Sequence, residues 1–234
     1  MLRFSTLPGK ITSTLRRAST ALLLGVALVT GCHAAVPNLP LPTADVPLAH
    51  APGKQTAIFA GGCFWGTQSV FEHVRGVLTT TAGYSGGTSA TATYDQVTTE
   101  TTGHAESVEV VFDPSKITYG RLLQVFFSVV HDPTELNRQG PDVGTSYRSA
   151  IFTVNDDQRR IAQSYIAQLN AAHAFPKNIV TEVTPNRGFY RAEEYHQDYA
   201  LNNPGNPYIQ VCDRPKVEAL KQQFPDLYVS YKGK

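Results

Sequence analysis

Three cysteines are all that the 234 residues contain, and no two are spaced as C-x-x-C. His104-Ala105-Glu106 therefore lacks the P-C-x-x-C half that a zinc deaminase needs. His50, His73, His131, His173 and His196 show no paired ligand spacing either, so no metal site is expected. Charge is scarce: 17% of residues are charged and the formal net charge is +1. With no basic stripe, no long run of one sign and no internal repeat, nucleic acid is not an expected partner. The G-x-S-x-G, P-loop and Rossmann glycine patterns are absent, which removes the reactions they serve. Nor does any apolar run reach the ~20 residues of a membrane-crossing helix.

What is present divides into a leader and one domain. Arg3, Lys10, Arg16 and Arg17 precede the apolar run Ala21–Val29 with no acid among them. That order reads as an export signal covering residues 1–31. Val29-Thr30-Gly31-Cys32 is similar to a bacterial lipobox, with Cys32 as the lipidated first residue of the mature chain. Removal of the four leader cations takes the formal charge to −3. Cleavage after Ala34 or Ala35, giving a soluble periplasmic protein, is the alternative. The expected location is thus the periplasmic side of the cell envelope, touching the membrane only through a lipid anchor. His33 is not the Asp that often retains lipoproteins at the inner membrane, so the outer membrane is the expected address in a Gram-negative cell. Residues 32–54, rich in Pro and Ala without periodicity, are expected to be a flexible tether. Residues 55–234 form the domain, whose 41% hydrophobic content in the chain suits one sizeable core.

Within it, strands are predicted over 56–60, 77–84, 105–112, 147–154 and 179–183, from apolar runs and period-two alternation. Helices are predicted over 119–130, 155–172, 192–201 and 217–224, with Asn155 as N-cap and Gln158 three residues on. Strands and helices intermingle without a strict parallel βαβ repeat. The fold class is therefore α+β, a mixed sheet with helices packed on it.

Gly61-Gly62-Cys63-Phe64-Trp65-Gly66 is the most informative stretch, since it puts a cysteine between a predicted strand and a segment able to continue as a helix. Glycines let backbone N–H groups approach the sulfur, and a helix N-terminus favours thiolate. Phe64 and Trp65 supply an apolar wall. A reactive thiol and a structural one both fit this spacing, and a Cys63–Cys212 staple is the structural option in an oxidising compartment. Cys212 follows Asn202-Asn203-Pro204-Gly205-Asn206-Pro207, which reads as a mobile loop.

Taken in order, Gly62–Gly66, Gly83-Tyr84-Ser85-Gly86-Gly87, Thr93-Tyr94, Gly103-His104-Ala105-Glu106, His131-Asp132-Pro133, Gln139–Ser149 and Glu194-Tyr195-His196-Gln197-Asp198-Tyr199 resemble the A-type peptide methionine sulfoxide reductases. The resemblance runs from about Gln55 to Tyr228. It implies a ferredoxin-like two-layer sandwich, no bound cofactor, and a thiol-dependent reduction of methionine S-sulfoxide in oxidised proteins; a monomer is expected. Under it Cys63 is the nucleophile, left as a sulfenic acid. Phe64 and Trp65 hold the S-methyl group, and Glu106 protonates the sulfoxide oxygen. Tyr94 and Tyr147 donate hydrogen bonds to that oxygen, and Asp142 belongs to the same pocket. Many members carry resolving cysteines in a Gly-rich tail, whereas Asn206–Val217 has one cysteine and no glycine cluster. Cys212 then either resolves Cys63 as a disulfide that a thioredoxin-like protein opens, or is a packing residue while an external thiol acts directly. A catalytically silent envelope lipoprotein that binds methionine-rich peptides is the competing expectation.

Overall fold

The computed structural model describes Met1, residues 39–231 and residue 233, so the expected signal and Cys32 lie outside the described residues. In chain order the elements are β1 (Gln55–Gly61), α1 (Phe64–Glu72), β2 (Val77–Ser85), α2 (Tyr94–Val97), β3 (Ala105–Phe112), α3 (Tyr119–Val125), β4 (Arg138–Gln139), β5 (Asp142–Val143), β6 (Ser149–Thr153), α4 (Asp156–Ala171), β7 (Glu182–Pro185), β8 (Phe189–Arg191), α5 (Tyr199–Asn202) and α6 (Arg214–Gln223). β4 and β5 pair with each other, and the remaining strands form one sheet in the order β7-β6-β1-β3-β2-β8. Only β6 and β7 run parallel. The four central strands, with α1 and α3 as their crossovers, give the β-α-β-β-α-β order of a ferredoxin-like sandwich. β7 and β8 widen the sheet at its two edges.

Period-two alternation decides which side chains meet the helices. Val108, Val110 and Phe112 of β3 share the main core with Phe64 and Phe71 of α1 and Leu122 and Leu123 of α3. Glu106 has the same parity, so the strand carries it to the helix-covered face. Ala105 belongs instead to a smaller cluster with Ile58, Ala60 and Phe152. Phe59 anchors the centre, stacked on Phe71 at 5.2 Å and on Phe126 at 4.9 Å between ring centroids. The predicted helix over 119–130 is α3 continued by a π-helical turn, Phe126–Val130, and all five residues of that turn are buried. At α4, Asn155 Oδ1 accepts from the Gln158 N–H at 2.8 Å, the expected cap.

The strand predicted over 179–183 is displaced to Glu182–Pro185, and two other segments differ from expectation. Over 192–201 a 3₁₀ turn, Glu194–His196, and short α5 replace a continuous helix, because Asp198 adopts φ +51° and interrupts the helical run. β8 just before them was not predicted; its three residues are too few to show alternation. The other difference is the tether, whose described part, from residue 39 on, is laid against the domain. Leu39 is buried, and its carbonyl accepts from Gln124 Nε2. The Tyr165 hydroxyl donates to the Pro40 carbonyl at 2.7 Å, and Gln168 bonds both Leu41 O and Thr43 N. Asp45 Oδ1 accepts from Gly120 N–H at 3.0 Å, satisfying one of the unpaired donors in the first turn of α3. Prolines suppress regular structure here, yet they leave carbonyls free for side chains of α3 and α4 to hold.

Asp45→Ala removes that cap and should lower stability by about 1 kcal/mol. Limited proteolysis within residues 40–52 should quicken, while cleavage elsewhere stays at the parental rate.

Candidate active site

Cys63 lies between β1 and α1 as the helix N-cap residue. The glycines before it are there for space. A Cβ on Gly61 would come within 2.9 Å of Val130, and one on Gly62 within 2.6 Å of the Gln139 side chain. Gly62 also has φ +81°, a conformation that side chains strain. Cys63 is a free thiol, 8% exposed.

From β3, Glu106 meets this turn from beneath. Its Oε2 accepts from the Phe64 N–H, in the first turn of α1, at 2.9 Å. Burial pushes the carboxyl up to about 8 against that bond, with the charges of Asp142, Glu100 and Asp213 adding to the rise. Glu106 is therefore a carboxylic acid at neutral pH. Cys63 is pushed up as well, by burial first and then by Glu106 and Asp213, while the Trp65 N–H and the Lys216 ammonium pull it down. The helix terminus, expected to favour a thiolate, is thus opposed. Desolvation and two carboxyls outweigh it, and the resting group is a thiol.

Cys63, Glu106, Phe64, Trp65, Tyr94, Tyr147 and Asp142 all line one cavity of about 150 Å³, so all but one of the residues expected at the site meet there. That volume suits a few heavy atoms, the end of a side chain rather than a whole ligand. Burial raises the phenols of Tyr94 and Tyr147, so both keep their protons and can donate. Trp65 is fixed by a stack on Tyr199 at 3.7 Å between centroids and a 3.1 Å bond from Nε1 to His196 Nδ1. Phe64 packs at 4.9 Å from the His196 ring.

Carboxylates hold the loops that deliver these groups. Glu193 accepts from the Tyr94 N–H at 2.9 Å and from the Tyr84 hydroxyl at 2.8 Å. Glu100 accepts from the Ser146 N–H and hydroxyl at 2.8 and 2.7 Å, which fixes the turn carrying Tyr147. The Arg148 guanidinium binds the carbonyls of Gly103, His104 and Thr145, tying that turn to the start of β3.

Tyr208 is a lining residue that sequence reasoning passed over; its hydroxyl donates to Asp142 Oδ2. Its position after Asn206-Pro207 carries no spacing signal of its own. Cys212, by contrast, does not line the cavity. It is 5% exposed, in the π-helical turn Ile209–Asp213 beyond the expected loop. It is disulfide-bonded, and not to free Cys63. Among the described residues no His, Cys, Asp or Glu cluster could hold a metal ion, and no helix is long and apolar enough to cross a membrane.

A family model described as peptide methionine sulfoxide reductase matches residues 55–228, the span of the resemblance noted above. The chain belongs to that family. A methionine sulfoxide reductase of Mesorhizobium japonicum is 60% identical over 178 residues, 76% of this chain and 91% of its own length. One from Synechocystis is 49% identical over 208 residues, 87% of this chain and 97% of its own. Among solved structures, reduced Mxr1 of Saccharomyces cerevisiae gives a TM-score of 0.61 at 30% identity, covering 70% of this chain and 92% of that one. Methionine sulfoxide reductase A of Corynebacterium diphtheriae gives 0.58 at 36%, covering 73% and 88%. The reductase is thus an oxidoreductase that reduces methionine sulfoxide, and a silent binder is not favoured.

Glu106 also imposes a pH dependence on stability. Its folded pKa of about 8 lies above the 4.5 of an ordinary carboxyl, so between these values the unfolded chain has released a proton that the folded one keeps. Stability from this group is therefore present below about 4.5, falls as pH rises to about 8, and then levels off, at up to ~1.4 kcal/mol per pH unit. Glu106→Gln lacks the effect and should melt increasingly above the parent between pH 5 and pH 8. A constant difference in Tm across that range would contradict a neutral Glu106.

Proposed function

We propose that this pocket reduces the S epimer of methionine sulfoxide in oxidised envelope proteins, with Cys63 as nucleophile and Glu106 as general acid. One observation carries the reading: a free thiol and a carboxyl protonated up to about pH 8 line the same small cavity. The substrate's S-methyl group rests against Phe64 and Trp65, and its oxygen faces Glu106, Tyr94 and Tyr147. Asp142 orients Tyr208 at the rim. As substrate enters, Cys63 gives up its proton and the resulting thiolate attacks the sulfoxide sulfur while Glu106 protonates the oxygen; the proton released by Cys63 then restores Glu106. Oxygen passes to Cys63, giving a sulfenic acid and the methionine thioether; the substrate sulfur gains the two electrons that Cys63 loses. An external thiol then attacks the sulfenic sulfur with loss of water, and a second thiol releases Cys63 from the mixed disulfide. A thioredoxin-like protein is the proposed source of both thiols. Cys212 could resolve Cys63 only after its present disulfide is opened, so the direct route is preferred.

With a methionine-S-sulfoxide peptide and dithiothreitol, the purified protein should release the reduced peptide, and Cys63→Ser should abolish turnover. Glu106→Ala should lose roughly 10²- to 10⁴-fold in rate, the usual worth of a placed general acid. The parental rate should also fall as pH rises through about 8, where Glu106 ionises. A Glu106→Ala rate within a few-fold of the parent would remove that residue from the mechanism.

The proposal extends to location: an exported monomer of the periplasmic face, lipid-anchored at Cys32. Its support is the basic, apolar, Gly31-Cys32 order of the first residues. Lipidation would make the Cys32 sulfur a thioether, so the lipidated chain is an alternative to any form in which that sulfur is disulfide-bonded. Mass spectrometry of the native N-terminus should find diacylglycerol on Cys32; a Cys32 peptide released only by a reductant would replace that assignment.

A further inference from the structure

α6 and the turn before it place an ion pair against the first turn of α1, the helix that Cys63 caps. Asp213 and Lys216 have side chains 1% and 4% exposed, and Lys216 Nζ lies 3.3 Å from Asp213 Oδ1. Among the described residues, Asp213 Oδ2 is buried without a hydrogen-bond partner. The pair fills the space a side chain at Gly66 would occupy. A Cβ there would lie 2.7 Å from Lys216 Nζ and would overlap Asp213 Oδ1. Gly66 is the third residue of α1, so both charges sit against the first helical turn, whose N-cap is Cys63.

A buried ion pair is a poor device for stability alone, because apolar residues of equal volume often serve as well. What this pair does have is a third ionisable group within a helical turn. Lys216 lies buried beside two groups able to carry negative charge, Asp213 and Cys63, and its 3.3 Å contact is with Asp213; burial raises the Asp213 carboxyl, and the Lys216 ammonium opposes that rise. Glu106, also in the pocket, is neutral up to about pH 8 and, once ionised, raises the thiol more than Asp213 does. The phenols of Tyr94, Tyr147 and Tyr208 face the sulfur with their protons retained. Asp142, across the cavity, is engaged by Tyr208. The two members of the pair act on the sulfur with opposite signs, Asp213 disfavouring the thiolate and Lys216 favouring it.

We propose that Asp213 is a positioning residue that claims the Lys216 ammonium and so denies Cys63 a counter-ion, keeping the resting nucleophile as a thiol until substrate fills the pocket. The inference rests on Cys63 being the reactive sulfur, and it gives the pair a purpose. Thiolates are the forms that peroxides and electrophiles attack, so a protonated resting thiol is spared wasteful oxidation. In Asp213→Asn, Cys63 becomes the group that balances Lys216, and thiolate forms at lower pH.

The test is the pH profile of Cys63 alkylation by iodoacetamide, followed by mass spectrometry on the full chain, a readout independent of sulfoxide turnover. In Asp213→Asn the midpoint should fall by about one pH unit, roughly tenfold faster alkylation at neutral pH. In Asp213→Asn/Lys216→Met it should return to within threefold of the parent. An unchanged or slower Asp213→Asn overturns the proposal. So does a double variant as fast as the single one, since loosened packing rather than the ammonium then exposes the sulfur. Should Asp213→Asn not fold, Lys216→Met decides: with no ammonium left, its midpoint stays or rises, and a fall refutes the idea. If Cys63 alkylates as expected but no variant reduces sulfoxide, the functional reading fails while this electrostatic one stands.

Discussion

The 2.9 Å hydrogen bond from the Phe64 N–H to Glu106 joins the two halves of the site. On one side is the glycine turn that aims Cys63; on the other is a strand whose alternation forces a carboxyl into the core. An ionised carboxylate could accept the same bond, but the burial that the core requires holds the group neutral. One contact thus fixes where the acid lies relative to the sulfur and leaves the acid's own proton available. Slipping β3 by one residue would turn Glu106 to the opposite face of the sheet.

Around this joint, the reactive side chains come from turns and short elements, and buried or half-buried acids keep those turns in place. Glu193 holds Tyr94, Glu100 holds the turn of Tyr147, and Asp142 engages Tyr208. The division of labour is electrostatic. Acids that receive several hydrogen bonds can stay charged and serve as struts; Glu193 is held below the usual carboxylate range in this way. Glu106 receives one such bond, is more deeply buried, and keeps its proton.

Much of this was legible in the sequence, and for identifiable reasons. The glycine pair before Cys63 marked the strand-to-helix turn, and the side chains of Gln139 and Val130 fill the space beside it. Alternation in 105–112 located β3, and the Asn155 cap located α4. The in-register motifs brought Tyr94, Glu106, Asp142 and Tyr147 together, although they stand far apart along the chain. What escaped was of another kind. The packed strap beyond residue 39 depends on side chains of α3 and α4 reaching to proline-rich backbone, which no local pattern announces. β8 is three residues long and pairs with β2 because tertiary contacts place it there. The protonation of Cys63 answers first to burial, then to Glu106 and to Asp213 some 150 positions along the chain, none of which the Cys63 stretch alone displays.

The docked strap has a geometric consequence for any tethered form. Leu39 is already clasped by the domain, so only seven peptide units separate it from residue 32. At ~3.3–3.6 Å per extended residue, that leash cannot exceed about 25 Å. A reductase moored at that cysteine would sweep a thin layer above the lipid headgroups. Its clientele would be selected by altitude before any chemistry began.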